Sequence, residues 1–208
     1  MNVSFTTTAC SRPEILRKTY ESFSSNLTGI DFSKSTLYIN IDPVPEAEKQ
    51  QATLEVAKSF FGNVVHRTPD KPNFTAAVNW LWSQADSDYI FHLEDDWELL
   101  RSIGMNDVLK RFDDPDILEV AFRAYKYPYK SLCLSPSVWR KSLYKRFAGK
   151  LNEELNPEVQ LRVDGIFPKN ITCMGKRPII KDTGRPWLSK SDFQRPKTKA
   201  RFTSWEKK

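Results

Sequence analysis

The sequence predicts an α/β domain with a mostly parallel central β-sheet, helices on both faces, and an irregular basic C-terminal extension. Three observations carry that reading. Strand-like and helix-like segments alternate through the first 100 residues, the signature of βαβ units. The length of 208 residues suits one good-sized domain and is short for two. The charge is split along the chain: residues 1–180 balance 23 Lys/Arg against 23 Asp/Glu, whereas residues 181–208 hold nine basic and three acidic residues and so carry the whole net +6. The expected organisation is therefore a domain over 1–180 with residues 181–208 as a basic loop or tail belonging to it.

Each element can be justified in order. Val3-Ser4-Phe5-Thr6-Thr7 is a short β-rich run. Ser11-Arg12-Pro13-Glu14 reads as a capping box opening a helix, with Ser11 as N-cap and Glu14 three positions on. Leu16, Tyr20, Phe23 and Leu27 give that helix an apolar face, and Gly29 closes it. Thr36 to Ile41 is a second strand ending at Asp42-Pro43. Leu54, Ala57 and Phe61 mark a second helix stopping at Gly62, and Val64-Val65 a third strand. Phe74, Ala77, Val78, Leu81, Trp82 and Ala85 define a third helix, and Tyr89 to Leu93 a fourth strand. Beyond residue 100 the pattern weakens. It predicts a helix over Ile103 to Phe112, a strand over Ile117 to Phe122, a helix over Pro136 to Phe147 and a short one within Glu153 to Leu161. The Pro-, Lys- and Arg-rich remainder is expected to form loops.

The composition excludes several function classes. No stretch approaches the 18 consecutive apolar residues of a membrane-spanning helix. The opening residues lack the pattern of a secretory leader, so a cytoplasmic location is expected. Cys10, Cys133 and Cys173 are isolated and odd in number, which fits reduced thiols. Seven glycines, with neither GxGxxG nor GxxxxGK[ST] among them, disfavour an ordinary dinucleotide or P-loop site. Two histidines and three scattered cysteines disfavour zinc.

Open parallel sheets bind ligands outside the carboxyl ends of their strands. That rule selects Thr7 to Arg12, Asp42-Pro43 and Glu94-Asp95-Asp96. The strongest signal is Phe91-His92-Leu93-Glu94-Asp95-Asp96-Trp97, where three carboxylates follow an apolar strand directly. Such crowding is costly without a cation, and Mg²⁺ or Mn²⁺ would accept these oxygens together with phosphate oxygens. A solvated acidic turn or helix N-terminus is the alternative.

Taken together, these segments resemble the glycosyltransferases of the GT-A fold, especially the large family 2-like group. The resemblance rests on Val3 to Glu14, on Asp42 at the second strand's end, on Asn73-Phe74-Thr75-Ala76-Ala77-Val78-Asn79, and on Glu94-Asp95-Asp96 as the DxD-type motif with Glu in first place. It covers residues 1–100. It implies a nucleotide-sugar donor, with Thr7, Thr8, Arg12, Asn73 and Asn79 at the nucleotide site and Asp42 on the nucleobase. Asp96 would hold Mn²⁺ or Mg²⁺ against the diphosphate, and Glu94 would support the metal or the ribose. Three departures stand out. Val78 replaces a frequent Arg, the family's catalytic Glu-Asp pair is matched only loosely by Asn156-Pro157-Glu158-Val159, and no His follows His92 to complete a metal shell. Glu158 is then the candidate base for the acceptor hydroxyl, implying inversion, with Asp164 as the second candidate. Asp182 can replace the missing His, and Arg185, Trp187 and Lys190 read as a loop closing over the diphosphate.

The acceptor is read from two segments that interleave cations with aromatics, Arg123 to Lys130 and Arg195 to Trp205. Cations neutralise phosphates and aromatic faces stack on displaced bases, which suits DNA. The resemblance extends to small stand-alone transferases that act on hydroxylated bases of phage DNA, so it implies such a base as the favoured acceptor. A cell-surface glycan, with the tail on anionic lipid, is the competing one. A non-catalytic sugar- or nucleic-acid-binding module on the same fold is the non-enzymatic alternative.

Overall fold

A computed structural model describes residues 2–123, 132–161, 170–175, 177–196 and 198–208. The first half follows the expected alternation: β1 (Val3–Cys10), α1 (Pro13–Asn26), a two-residue β2 (Leu27–Thr28), β3 (Thr36–Asp42), α2 (Gln50–Phe60), β4 (Asn63–Arg67), α3 (Phe74–Gln84) and β5 (Tyr89–Glu94). The second half is built from shorter pieces: β6 (Trp97–Leu99), β7 (Ile103–Gly104), α4 (Met105–Leu109), β8 (Glu119–Ala121), β9 (Ser137–Arg140), α5 (Lys141–Phe147), α6 (Pro157–Gln160), β10 (Ile171–Cys173), β11 (Ile180–Asp182), α7 (Gly184–Lys190), β12 (Phe193–Gln194) and β13 (Glu206–Lys207).

Seven strands form the central sheet in the order β10-β8-β9-β5-β1-β3-β4. β1 pairs in parallel with β3 and β5, β3 with β4, and β8 with β10; only β9 runs antiparallel to its neighbours. Because side chains alternate across a strand, the sheet feeds two separate cores. Phe91 and Leu93 of β5 and Val138 of β9 pack with Leu16, Tyr20 and Phe23 of α1 and with Leu54 of α2. Ile90 and Trp139, one residue out of step, pack on the other face with Leu81 and Trp82 of α3 and Leu143 of α5. Helices therefore cover both faces, as the apolar runs of the strands require.

Four local expectations change. Ser11 does not cap α1: the N-cap position falls at Arg12, without a side-chain cap bond. Instead the Ser11 hydroxyl accepts from Glu46 N at 3.3 Å, because the end of β1 is tied to the neighbouring loop. The helix foreseen from Ile103 begins only at Met105, after Ile103 and Gly104 pair with β2. The helix foreseen from Pro136 begins only at Lys141. Before it, Val138 and Trp139 point to opposite faces, which strand geometry permits and a single helical stripe does not. Finally, residues 181–208 are not simply loop. Asp182 pairs with Trp97 in an antiparallel ladder between β11 and β6, and α7 follows immediately.

Candidate functional site

The carboxyl ends of β1, β3 and β5 meet at one edge of the sheet. Parallel register sets Thr8 beside Glu94 and Cys10 beside Asp42, so the three polar strand ends are brought together by backbone pairing alone. The peptide after β5 is fixed by Asp95 N donating to Thr8 O at 3.1 Å.

The three adjacent acids have different surroundings. Asp95 is buried, and its carboxylate receives Arg12 Nη2 at 2.5 Å, Arg12 Nε at 3.1 Å and Cys10 N at 3.0 Å. This two-pronged ion pair locks the start of α1 to the end of β5. Asp96 receives a single bond from Arg12 Nη2, at 3.1 Å. Burial, reinforced by Asp95 and opposed by Arg12, pushes its carboxyl up to about 6; Asp182 adds to the rise. Glu94 accepts from Trp97 Nε1 at 2.8 Å. Burial first, then Asp96 and Glu158, push its carboxyl well above the usual range. Asp42 is also pushed up to about 6 by burial, with Asn40 Nδ2 and Asn73 N bonding its oxygens and pulling the other way.

Among the described residues, two cavities lie against this edge. The smaller, about 80 Å³, is walled by Thr8, Arg12, Asp42, Glu94 and Asp96 together with residues 202–205. The larger, about 430 Å³, is lined by Glu94, Asp96, Glu158, Asp182, Arg185 and Arg195, among others. Glu158 sits in the first turn of α6, where Asn156 Oδ1 accepts from its backbone N at 2.9 Å. Asp182 receives Gly184 N, Arg185 N and Arg185 Nε between 2.9 and 3.1 Å, which fixes the turn into α7. Thr183 N donates to Asp96 O at 2.8 Å, and a Cβ on Gly184 would lie 2.0 Å from Asp96 Oδ2. Glycine is thus what lets α7 rest against the acidic edge. Trp187 lies over the Arg12 guanidinium at 4.6 Å.

Not every residue selected from sequence reaches a cavity. Thr7 is fully buried and accepts from the Tyr20 hydroxyl at 3.0 Å. Asn73 caps α3, accepting from Ala76 N, and Asn79 clips the Leu151 backbone through reciprocal bonds of 2.9 and 3.1 Å. These three hold elements in place and line neither cavity. Lys190, in the last turn of α7, is exposed. Asp164 lies outside the described residues. Sequence reading missed the Arg12–Asp95 pair, because nothing local to either residue announces a partner more than 80 positions away. It also missed Glu119 and Cys133, a buried pair joined at 3.3 Å in the strand region where the pattern had weakened.

Among the described residues, no three Asp, Glu, His or Cys side chains are arranged as a metal-binding group. His92 is buried against Thr6, and burial lowers its imidazole to about 3, so it stays neutral. Glu94, Asp96 and Asp182 nevertheless share one cavity wall, and the charges of Glu94 and Asp182 each fall close to that of Asp96. Mg²⁺-like ions are commonly held by one or two carboxylates plus substrate phosphates and waters. The residues fit that open arrangement and do not form a closed all-protein shell.

A mostly parallel open sheet with acids gathered at the carboxyl edge of its parallel strands has the form of the α/β folds that bind ligands at that edge. More closely, the fold is GT-A-like. It is shared with the mannosyltransferase PcManGT from Pyrobaculum calidifontis, solved in complex with GDP-Man and Mn²⁺: TM-score 0.59 and 10% identity over 86% of this chain and 58% of that one. It is shared with S. aureus TarS 1-349, TM-score 0.58 and 13% identity over 86% and 60% of the two chains. A cytidylyltransferase from Leptospira borgpetersenii also matches, TM-score 0.54 and 13% identity over 92% and 88%. The chain spans less than two thirds of the length of PcManGT and of TarS 1-349. No protein-family model matches the chain, and no curated protein matches it in sequence. Among the described residues no helix is long and apolar enough to cross a membrane.

Proposed function

We propose that the protein is a metal-dependent glycosyltransferase that moves a sugar from a nucleotide-sugar to a hydroxyl acceptor. The observation that carries this reading is the convergence of Thr8, Arg12, Asp42, Glu94 and Asp96 on one small cavity at the carboxyl edge of the parallel strands. Arg12 adds support. Among the described residues its buried Nη1 has no hydrogen-bond partner, and an anionic ligand would satisfy that donor. PcManGT, on the same fold, binds GDP-Man and Mn²⁺, and TarS 1-349 has been solved with UDP-GlcNAc.

In this reading Asp96, with Glu94 or Asp182, would hold Mn²⁺ or Mg²⁺, which would supply positive charge to a departing nucleoside diphosphate. Arg12 orients Asp96 and keeps Asp95 out of the ligand set. Asp42 addresses the nucleobase end of the cavity. Arg185, on α7, adds positive charge beside the acids. Glu158, across the larger cavity, takes the proton of the acceptor hydroxyl, so that attack from the face opposite the leaving group inverts the anomeric centre. Residues 1–180 supply the transferase body and 181–208 its closing wall.

For the acceptor we infer a hydroxylated base in DNA, supported by the concentration of all net positive charge in residues 181–208. The test has two parts. Release of nucleoside diphosphate from UDP-, GDP- and other nucleotide-sugars should require Mn²⁺ or Mg²⁺ and stop in chelator; a protein that binds these donors but never turns them over is a binding module. Duplex DNA binding should then weaken steeply across a salt series. No binding at low salt ends the DNA reading and leaves a glycan or small-molecule acceptor.

A further inference from the structure

We propose that the protein's own residues 202–205 stand in the nucleotide's place while no donor is bound, and that the donor must displace them to bind. This rests on the nucleotide-sugar reading above and concerns the regulation of that same site.

The first observation is size. The cavity bounded by the ends of β1, β3 and β5 holds only about 80 Å³, whereas small-ligand pockets generally run to about 300–1,000 Å³. That space is smaller than a nucleoside diphosphate needs, and Phe202, Thr203, Ser204 and Trp205 form part of its wall beside Val44, Pro72 and Phe74. Phe202 and Trp205 also line the larger cavity on the Glu158 side, as do Phe74, Glu94 and Asp96, so the two aromatic rings belong to the wall between the spaces. Moving those rings outward would open the small space toward the cavity that holds Glu158.

The second observation is how the segment is held. Phe74 N, the first orphan donor of α3, gives its hydrogen to Thr203 O at 2.7 Å, and Asn156 N gives its own to Ala200 O at 2.8 Å. Phe202 and Trp205 meet edge to face at 5.0 Å, with the Arg195 guanidinium 5.6 and 5.3 Å from their rings. The chain end is closed by the two-residue ladder of β12 with β13. Trp205 also meets Trp187 at 6.5 Å, and Lys208 N donates to Asp192 O at 2.7 Å; residues 202–205 are all only half-buried, the kind of partly exposed attachment that opens locally.

The third observation is what closure leaves unsatisfied. Among the described residues the buried Arg12 Nη1 has no hydrogen-bond partner. A donor's diphosphate would supply the missing acceptor. The closed segment covers the acids without neutralising them, since Phe202, Thr203, Ser204 and Trp205 carry no charge. Closure therefore competes with the donor by occupying space. The donor's apparent affinity is reduced by the fraction of molecules already open.

The experiment compares three proteins: the full chain, a truncation ending at Arg201, and the full-length double variant Phe202→Ala/Trp205→Ala. UDP, GDP and CDP with Mn²⁺ are titrated into each by calorimetry, after circular dichroism and thermal melting confirm folding. Both variants should bind the preferred nucleotide about 10-fold more tightly than the full chain, the consequence of a closed state populated about 10 to 1. The double variant keeps the test decisive if the truncation does not fold. Equal or weaker binding by the folded variants overturns the proposal and makes the segment part of the donor's grip. If no nucleotide binds any of the three, the donor reading falls and this inference with it.

Discussion

Replacing Asp96 by asparagine tests whether the acidic edge is a site kept under electrostatic stress. In the wild-type protein the Asp96 carboxyl is pushed from 3.8 to about 6, first by burial and then by Asp95, with Arg12 only partly compensating. For an acid whose folded-state value is raised, the folded protein holds the proton more tightly than the unfolded chain. The contribution of Asp96 to stability is therefore largest below about pH 4, falls as pH rises toward 6, and is constant above that. The rise of roughly two units corresponds to as much as about 3 kcal/mol. The side-chain amide of the Asp96→Asn variant has no charge to bury. Between pH 4 and pH 7.5 the wild type should thus lose up to about 3 kcal/mol more than Asp96→Asn, or about 6–12 °C in Tm at this chain length. Comparing the two proteins cancels the titration of Asp42, which both retain, whereas Glu94, held up in part by the Asp96 charge, is relieved in the variant and widens the difference in the same direction. Urea and thermal unfolding at both pH values provide the measurement. Repeating the pH 7.5 melt with Mn²⁺ should raise the wild-type Tm and leave the variant's nearly unchanged. Parallel pH profiles would refute the argument, and a variant less stable than wild type at pH 7.5 would show that Arg12 needs the second carboxylate.

Three further outcomes follow from the same geometry. Glu158→Gln should lower kcat by about 10²–10⁴-fold with donor affinity unchanged, read by turnover and nucleotide titration. Glu119 is fully buried, with Oε2 unpartnered among the described residues and its carboxyl pushed to about 8 by burial. Wild-type stability should therefore decline as pH rises from about 4.5 through 8, and Glu119→Gln should flatten that decline in chemical denaturation. Gly184→Ala places a methyl 2.0 Å from Asp96 Oδ2 and 3.2 Å from Asp96 Cβ, so rotating the carboxylate alone does not relieve the clash. It should shift α7 and cost about 1–3 kcal/mol, with Trp187 fluorescence reporting the displacement.

The part of the fold legible in the sequence is the part whose elements are long and regularly patterned. β1, β3, β5 and α1 to α3 each carry enough apolar residues to show their period, and the strand-end rule then finds Thr8, Asp42 and Glu94 without tertiary information. The second half resists because its elements are short, two to seven residues each. Val138 and Trp139 fit either half of a helical stripe or two faces of a strand, and only pairing with β5 and β8 decides. Asn79 shows the complementary difficulty. A polar residue near a site motif invites a functional role, but its amide is consumed by the Leu151 backbone, 72 positions away.

The acidic triplet shows what sequence supplies and what it withholds. Three consecutive carboxylates announce a concentration of charge, but they do not say which charge is spare. The backbone answers by sending consecutive side chains in different directions. Asp95 turns toward α1 and is neutralised by the two-pronged Arg12 contact, an internal pair that takes Arg12's Nε and Nη2. Glu94 and Asp96 turn to the cavity and share one weaker bond from Arg12 and one from Trp97. Had Arg12 paired equally with all three, the edge would be electrically quiet and have no need of a cation. Concentrating its strongest contacts on Asp95 leaves the two cavity-facing acids raised and mutually repelling. A metal-bound diphosphate has the charge to relieve that repulsion, and the uncharged segment Phe202 to Trp205 does not. Closure can therefore cover this edge without satisfying it, which leaves the binding energy of the acids in reserve for a ligand.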